Sequence, residues 1–326
     1  MSFNSREFIN ISDRRLEELS DFLERMGLHY EGGAEFTVIL YDDEDEIVGT
    51  GSLCGSVLKY IAVTDELQGE GASAAIVSRL VSHAYMIGRK KLFLFTKPQN
   101  RNLFASLGFF SIAETDSVVY MENSRNGLKD YLASLKQGSG VQGAVVVNCN
   151  PFTFGHRYLL ETAASMVDTL HVFVVSEDRS DFPFSDRFEL VRKGSEDISN
   201  LILHESGDYI ISHATFPTYF MKKDANTDRI NAELDLALFG ERIAPALNIT
   251  ERFVGTEPYC NVTRAYNECM KQLLPKYGVQ VVEIERLDGI SASKVREAVG
   301  NGDWQLVKKL VPQSTYDYLL EKGDKI

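Results

Sequence analysis

Cysteines and long apolar runs are scarce in this 326-residue sequence, and each shortage excludes a class of protein. The four cysteines are Cys54, Cys149, Cys260 and Cys269. They form no Cys-x-x-Cys pair and no histidine lies at metal-ligand spacing from them, so we expect free thiols, a reducing compartment and no protein metal site. The longest apolar runs, such as 143–147 and 172–175, are too short to span a membrane. Because the first residues lack the pattern of a secretory signal, we expect a cytoplasmic protein without membrane contact.

Basic residues are also in short supply. The chain has 34 lysines and arginines against 47 aspartates and glutamates, which gives a net charge of −13. Because an acidic surface repels phosphate backbones, we do not expect nucleic acid as a partner. Any phosphate that the protein binds must therefore be held by local donors.

The length and the apolar pattern predict two domains, at roughly 100–200 residues for each. Residues 1–124 combine a first helix, several strands and a glycine-rich loop at 68–71 that opens another helix. The stretch 125–142 contains the turn-forming residues of a linker, with a helix over 128–136. From residue 143 to 326, continuous β-branched runs alternate with helical stretches. This alternation is typical of a parallel α/β sheet whose strands are buried on both faces.

The first candidate site directly follows the strand at 144–147. There the sequence runs Asn148-Cys149-Asn150-Pro151-Phe152-Thr153-Phe154-Gly155-His156 and then enters a helix. A strand-to-helix turn presents unpaired backbone N–H groups and the positive end of a helix dipole, which both favour an anion. Gly155 lets a phosphate approach the backbone, while Thr153 and His156 add a hydroxyl and a ring donor. The turn therefore predicts a phosphate site.

A second candidate site lies far along the chain, where another helix is opened by Ile290-Ser291-Ala292-Ser293-Lys294-Val295-Arg296. Ser291 or Ser293 is expected to cap this helix. Its first turn then offers N–H groups, hydroxyls and Arg296 to further phosphates. Either motif alone is more often a structural turn or cap. Together, at two strand-to-helix junctions in this order, they indicate a nucleotide site.

The two motifs resemble the signatures of the nucleotidyltransferase superfamily, His/Thr-x-Gly-His and Ile-Ser-x-Thr/Ser-x-x-Arg. The resemblance spans about 143–311 and implies a Rossmann-like sheet that binds ATP and directs attack on the α-phosphate, releasing pyrophosphate. It implies catalytic roles for His156 and Thr153 near the α- and β-phosphates, and for Arg296 at the outer ones. The implied ATP-binding residues are Asn148, Asn150, Phe152, Gly155, Gly255, Ser291 and Ser293.

The sequence lacks one lysine that is common in this superfamily. A lysine commonly precedes the segment that corresponds to Phe184–Arg187, but Ser180 or Asp181 occupies its place here. Arg179 is the nearest candidate substitute. Two further charged residues, Glu257 and Arg264, either line the nucleotide pocket or form a surface pair.

A second resemblance concerns the glycine-rich loop of the first half. Gln68, Gly69, Gly71 and Ser73 follow a strand and open a helix, which is again a geometry that holds phosphate. The loop resembles the pyrophosphate loop of GNAT-type acetyltransferases, and the stretch 100–109 resembles that family's closing Asn…Gly-Phe segment. The resemblance covers about 1–122 and implies a GNAT-like α+β domain in which these four residues bind a pantetheine arm.

The pairing of a GNAT-like domain with a Thr-x-Gly-His domain resembles the citrate lyase ligase family. The stretches 182–187, 216–220 and 255–267 resemble that family too. The resemblance implies an AMP-forming acid–thiol ligase that uses ATP and Mg²⁺ to activate acetate. It further implies that acetyl-adenylate acetylates the thiol of the pantetheine-type arm on the acyl carrier subunit of citrate lyase.

Two other functions stay open at this point. One is an acetyl-CoA-dependent N-acetyltransferase with a nucleotide-sensing domain. The other is an adenylyltransferase that acts on a phosphorylated small molecule. Exchange of labelled pyrophosphate into ATP that requires acetate, and no acetyl-CoA, distinguishes the ligase from both.

Overall fold

The structure is a computed structural model that describes residues 3–177, 180–211, 216–221, 226–258 and 260–322. The chain divides into two compact units. One comprises Met1–Asp130 with Pro217–Ile230, and the other comprises Tyr131–Phe216 with Asn231–Ile326. The sequence predicts one contiguous domain over 143–326, whereas this division assigns Pro217–Ile230 to the first unit.

The first unit is built on a seven-stranded sheet with the order β1-β2-β3-β4-β5-β7-β6. Its strands are β1 (Asn4–Ile9), β2 (Phe36–Tyr41), β3 (Ile47–Cys54), β4 (Val57–Val63), β5 (Phe93–Thr96), β6 (Phe110–Glu114) and β7 (Val119–Glu122). Its helices are α1 (Asp13–Arg25), α2 (Ala72–Met86) and α3 (Arg101–Ser106), and α4 (Gly127–Ser134) lies at the boundary between the units. Neighbouring strands run antiparallel except β4 and β5, which are parallel.

A cleft opens between β4 and β5. The two strands pair only at Val57–Phe93 and Leu58–Leu94. Beyond this point β4 carries an extra residue relative to β3, and Tyr60 takes a left-handed φ of 58°. A bulge of this kind bends a strand and ends its pairing. The unpaired parts of β4 and β5 therefore form the walls of a groove.

The second unit contains a five-stranded, wholly parallel sheet with the order β10-β9-β8-β11-β12. Its strands are β8 (Gln142–Val147), β9 (Thr169–Val174), β10 (Leu201–Glu205), β11 (Ile249–Gly255) and β12 (Gln280–Ile284). The helices that follow β8 along the chain are α5 (Phe154–Ala164), α6 (Phe184–Gly194), α7 (Thr227–Leu238), α8 (Ala244–Ala246), α9 (Asn261–Leu273), α10 (Ala292–Gly300), α11 (Trp304–Leu310) and α12 (Gln313–Lys322).

The predicted fold class, a GNAT-like α+β unit and a Rossmann-like parallel sheet, is confirmed by these two sheets. The strand order of the second sheet reverses between β8 and β11, since β8 leads to β9 on one side and β11 to β12 on the other. In open α/β sheets, ligands bind outside the carboxyl ends of the strands at such a reversal. Among the residues described, no helix is long and apolar enough to cross a membrane.

Three polar side chains form a chain of hydrogen bonds inside the second sheet. His171 Nε2 lies 2.7 Å from Gln142 Oε1, and His171 Nδ1 lies 2.9 Å from His204 Nε2. Because the amide oxygen only accepts, Nε2 of His171 donates and its Nδ1 must accept from His204. The pKa of each histidine is lowered from 6.5 to about 4, mainly by burial, and for His204 the neighbouring His171 contributes to this shift. Both rings are therefore neutral in the folded protein.

This arrangement predicts that acid destabilises the second unit. Both histidines bind protons more tightly in the unfolded chain, so the free energy of unfolding should fall as the pH drops from about 6.5 to about 4. The expected loss is on the order of 2–4 kcal/mol. Urea unfolding at a series of pH values measures it. His204→Gln should flatten the dependence, and an unchanged slope in that variant would contradict the assignment.

Candidate active site

The first sequence motif lies between β8 and α5, at the carboxyl end of β8 and beside the reversal in strand order. Thr153 is the N-cap of α5, and its Oγ1 accepts a hydrogen bond from the backbone N–H of His156 at 3.3 Å. The His156 ring reaches back, and its Nδ1 lies 3.1 Å from the backbone nitrogen of Thr153. This reciprocal capping box fixes the histidine ring relative to the helix start.

The capping box also fixes which nitrogen of His156 carries the proton. Since the backbone N–H of Thr153 can only donate, Nδ1 is the acceptor and the neutral ring carries its hydrogen on Nε2. Burial, and secondarily the positive charge of Arg286, lower the pKa of His156 from 6.5 to about 4. At neutral pH the ring is therefore an uncharged donor that presents Nε2–H.

The other residues of the motif divide into supporting and exposed positions. Phe152 is fully buried, and its ring centroid lies 5.9 Å from that of His156. It packs beside the histidine ring. At Gly155, an added Cβ would meet only ordinary contacts, the nearest being Ile290 O and Thr153 Oγ1 at 3.5 Å. Packing inside the protein does not require glycine there, which is consistent with a backbone surface left open to a ligand.

A cavity brings the two sequence motifs together within the second unit. Among the predicted site residues, its walls include Asn148, Thr153, Gly155, His156, Gly255 and Ser291. Ser291 caps α10 by accepting from the N–H of Lys294 at 3.1 Å, so the start of α10 borders the same space as the start of α5. Two helix N-termini and a neutral histidine donor therefore surround one cavity.

Four predicted ligand contacts, those of Asn150, Phe152, Ser293 and Arg296, do not line this cavity. Arg296 donates from Nη1 to Asn150 O at 2.5 Å, and its Nε lies 3.1 Å from Asp181 Oδ2. The amide of Asn150 donates to Asp181 at 2.8 Å. Ser293 is exposed, 3.5 Å from Arg296. Arg296 and Asn150 hold the β8–α5 loop, because they bond to each other and to Asp181.

The structure adds a cation that the sequence motifs did not reveal. Arg286 follows β12 and lines the cavity, and its Nη1 lies 2.6 Å from Glu257 Oε2. An adjoining groove is lined by Glu257, Arg264 and Arg286 among others. Glu257 thus pairs with Arg286, whereas Arg264 donates to Asn261. The available signal for Arg286 was its place two residues after the parallel strand β12. Arg179, the predicted substitute cation, lies outside the described residues.

Arg187 holds the carboxyl edge of the second sheet together. It is completely buried at the start of α6. Its guanidinium donates to Phe182 O at 3.0 Å, to Val175 O at 2.8 Å and to Asn148 O at 2.9 Å, and Glu177 O accepts another bond. It also donates to Asn148 Oδ1 at 2.7 Å, which orients a side chain of the cavity wall.

The glycine-rich loop of the first unit borders its own cleft. Gln68, Gly69 and Ser73 line the groove between β4 and β5, whereas Gly71 does not line it and caps α2. Gly69 and Gly71 have φ of 85° and 80°, values that favour glycine. Gln68 donates to Asp65 at 2.6 Å. Three of the four predicted arm-binding residues therefore meet at the cleft.

Comparison with known proteins finds relatives over nearly the whole chain, including the part that carries the two motifs. A sequence profile for the citrate lyase ligase C-terminal domain matches residues 142–319. The citrate pro-3S-lyase ligase of Klebsiella pneumoniae is 46% identical over 322 residues, which cover 95% of this chain and 94% of that one. The chain belongs to the citrate lyase ligase family. Its members are enzymes of the acid–thiol ligase kind.

Two further comparisons accompany this family membership. The citrate pro-3S-lyase ligase of Haemophilus influenzae is 40% identical over 332 residues, covering 97% of this chain and 98% of that one. Among solved structures, Thermotoga maritima TmcAL bound with alpha-thio ATP matches with a TM-score of 0.42 and 14% identity. That match covers 57% of this ligase-family chain and 56% of TmcAL.

Because the guanidinium of Arg187 is completely buried, we expect its substitution to cause a large loss of stability. Arg187→Met should lower the free energy of unfolding by about 3 kcal/mol or more, because it leaves several buried carbonyl groups without donors. Urea denaturation measures the change. The control is Arg192→Met in the same helix, where the arginine is exposed and pairs with Glu189, and a change below about 1 kcal/mol is expected. Equal losses in the two variants would refute this role of Arg187.

Proposed function

We propose that this chain activates acetate with ATP and transfers the acetyl group to the thiol on the carrier subunit of citrate lyase. The observation that carries the proposal is the cavity where a neutral histidine donor and two helix N-termini meet. Donors arranged in this way suit the phosphates of a nucleotide without any basic cluster. Membership of the citrate lyase ligase family supports acetate and the carrier thiol as the other substrates.

In the proposed reaction the substrates supply both nucleophiles, so the main task of the protein is to position them. An acetate oxygen attacks the α-phosphorus of ATP, the bond from that phosphorus to the bridging oxygen breaks, and pyrophosphate leaves. The carrier thiolate then attacks the acetyl carbonyl carbon, and AMP leaves with its electron pair while the thiol proton passes to solvent or base. In such phosphoryl chemistry, alignment and charge stabilisation supply most of the rate.

We assign roles according to which groups face the cavity. The Nε2–H of His156 donates to the α- or β-phosphate, while Thr153 holds that ring in its donor tautomer. Gly155 and Ser291 let the phosphates approach the starts of α5 and α10. Arg286 supplies positive charge at the cavity wall. Arg296 acts as a positioning residue that holds the loop through Asn150 and Asp181.

Mg²⁺ is proposed as the ion that accompanies ATP. Among the described residues, no group of three or more histidine, cysteine or carboxylate side chains is arranged to hold a metal. Mg²⁺ commonly binds through substrate phosphates, waters and few protein ligands. The donor set at the cavity therefore fits an ion held mainly by the phosphates, which would neutralise charge on the leaving group.

The first unit is proposed to receive the carrier's pantetheine arm. Gln68, Gly69 and Ser73 line one end of a cleft whose strand edges offer backbone partners to the arm's amides. We accordingly propose 1–124 as the arm-binding domain, 125–142 as the linker and 143–326 as the ATP-binding domain. Segment 217–230 is the exception, since it packs with the first unit.

The proposed role of His156 gives a direct test. His156→Ala should lower acetate-dependent exchange of labelled pyrophosphate into ATP by roughly 10²-fold, the usual effect of losing one donor at a developing charge. His83→Ala, which removes a histidine stacked on Phe36 in the first unit, serves as the control. Exchange within threefold of wild type in the His156 variant would refute the role. Wild-type exchange that does not require acetate would refute the proposed function.

A further inference from the structure

The segment Pro217–Met221, called here the aromatic segment, lies between β10 and α7 in the chain but packs in the first unit. It is fixed there by hydrogen bonds to the chain that follows α1. The backbone N–H of His29 donates to Tyr219 O at 2.9 Å, and that of Thr218 donates to Glu31 Oε1 at 2.9 Å. The Thr218 hydroxyl also donates to Glu31. These contacts hold the aromatic segment against the unit whose cleft it borders.

The aromatic segment also contacts the bulge that opens the β4–β5 cleft. The rings of Tyr219 and Tyr60 meet edge to face, with centroids 4.8 Å apart. The ring contact places Tyr219 directly against the residue at which β4 bulges. Tyr60 is the residue with left-handed φ, and its own hydroxyl donates to Gly32 O at 2.9 Å. The aromatic segment therefore packs on the side chain of the residue at which β4 bends.

Tyr219 and Phe220 line the cleft itself. Gln68 and Gly69 lie beyond the carboxyl end of β4, and the paired residues Leu58 and Leu94 close the opposite end. A regular strand from Leu58 to Val63 would extend for about 16 Å at roughly 3.3 Å per residue, and the bulge at Tyr60 makes the span somewhat shorter. A pantetheine arm of roughly thirteen bonds is about as long as four extended residues, or about 15 Å. An arm whose phosphate lies at the loop thus brings its thiol close to the inner end.

We propose that the aromatic segment is part of the arm site, with Tyr219 and Phe220 forming the wall against the thiol end of the pantetheine arm. This inference rests on the proposed function. Phe220 is 5% exposed and Tyr219 6%, so both rings are held in place before any arm enters. Preorganised apolar walls favour a slender thiol arm because they lose little side-chain freedom on binding.

The test compares the full-length chain with Phe220→Ala, using two forms of the carrier subunit. The carrier that bears its arm is the acetyl acceptor, and the carrier that lacks the arm is a competitive inhibitor that reports protein docking alone. Phe220→Ala should raise KM for the armed carrier about tenfold and leave Ki of the armless carrier within twofold. Phe220→Leu retains a buried apolar side chain and should raise KM for the armed carrier about threefold. This second variant keeps the proposal testable if Phe220→Ala does not fold.

Phe36→Ala is the matched control, because Phe36 is a buried aromatic residue of the same unit that does not line the cleft. It should change KM for the armed carrier by less than twofold. The proposal is overturned if KM in both Phe220 variants stays within twofold of wild type, or if Ki of the armless carrier rises in parallel with KM. Loss of acetate-dependent exchange in the wild-type chain would instead refute the proposed function.

Discussion

The reciprocal hydrogen bonds between Thr153 and His156 are the interaction on which the nucleotide site depends. They satisfy two backbone donors at the start of α5 and at the same time set the ring's tautomer. Because the pKa of His156 is lowered to about 4, the ring donates from Nε2 without carrying a charge. The same contacts that begin the helix therefore also set the donor that we propose for a phosphate.

Among the described residues, the cations around the site divide into Arg187 and Arg296, which build the loop, and Arg286, which faces the cavity. Arg187 donates to the backbone carbonyl groups of Asn148 and Val175, and Arg296 donates to that of Asn150 and pairs with Asp181. Both residues therefore fix the shape of the β8–α5 turn. Arg286 lines the cavity and keeps Glu257 as its partner. In a chain of net charge −13, such local placement gives an anionic nucleotide a binding site despite the overall repulsion.

The sequence was informative where the signal is local. Thr153, His156 and Ser291 were found because caps at strand-to-helix junctions depend on adjacent residues, and the buried β-branched runs predicted the parallel sheet. The partners of Arg296, a carbonyl and a carboxylate distant in the chain, leave no trace in the motif, so the sequence alone suggested only a phosphate contact for this residue. The contact between Glu31 and Thr218 in the first unit likewise leaves no signal in the sequence, since only the folded chain brings these two residues together.

The tautomer of His156 is the central claim, and nitrogen NMR of the full-length chain with ¹⁵N-labelled histidine tests it most directly. We predict a neutral ring near pH 7 with the hydrogen on Nε2 and an unprotonated Nδ1, and a titration midpoint well below 6.5 because the pKa is lowered to about 4. The resonances are assigned with His156→Ala. A ring protonated on Nδ1 at neutral pH, as the other tautomer or as the cation, would contradict the account.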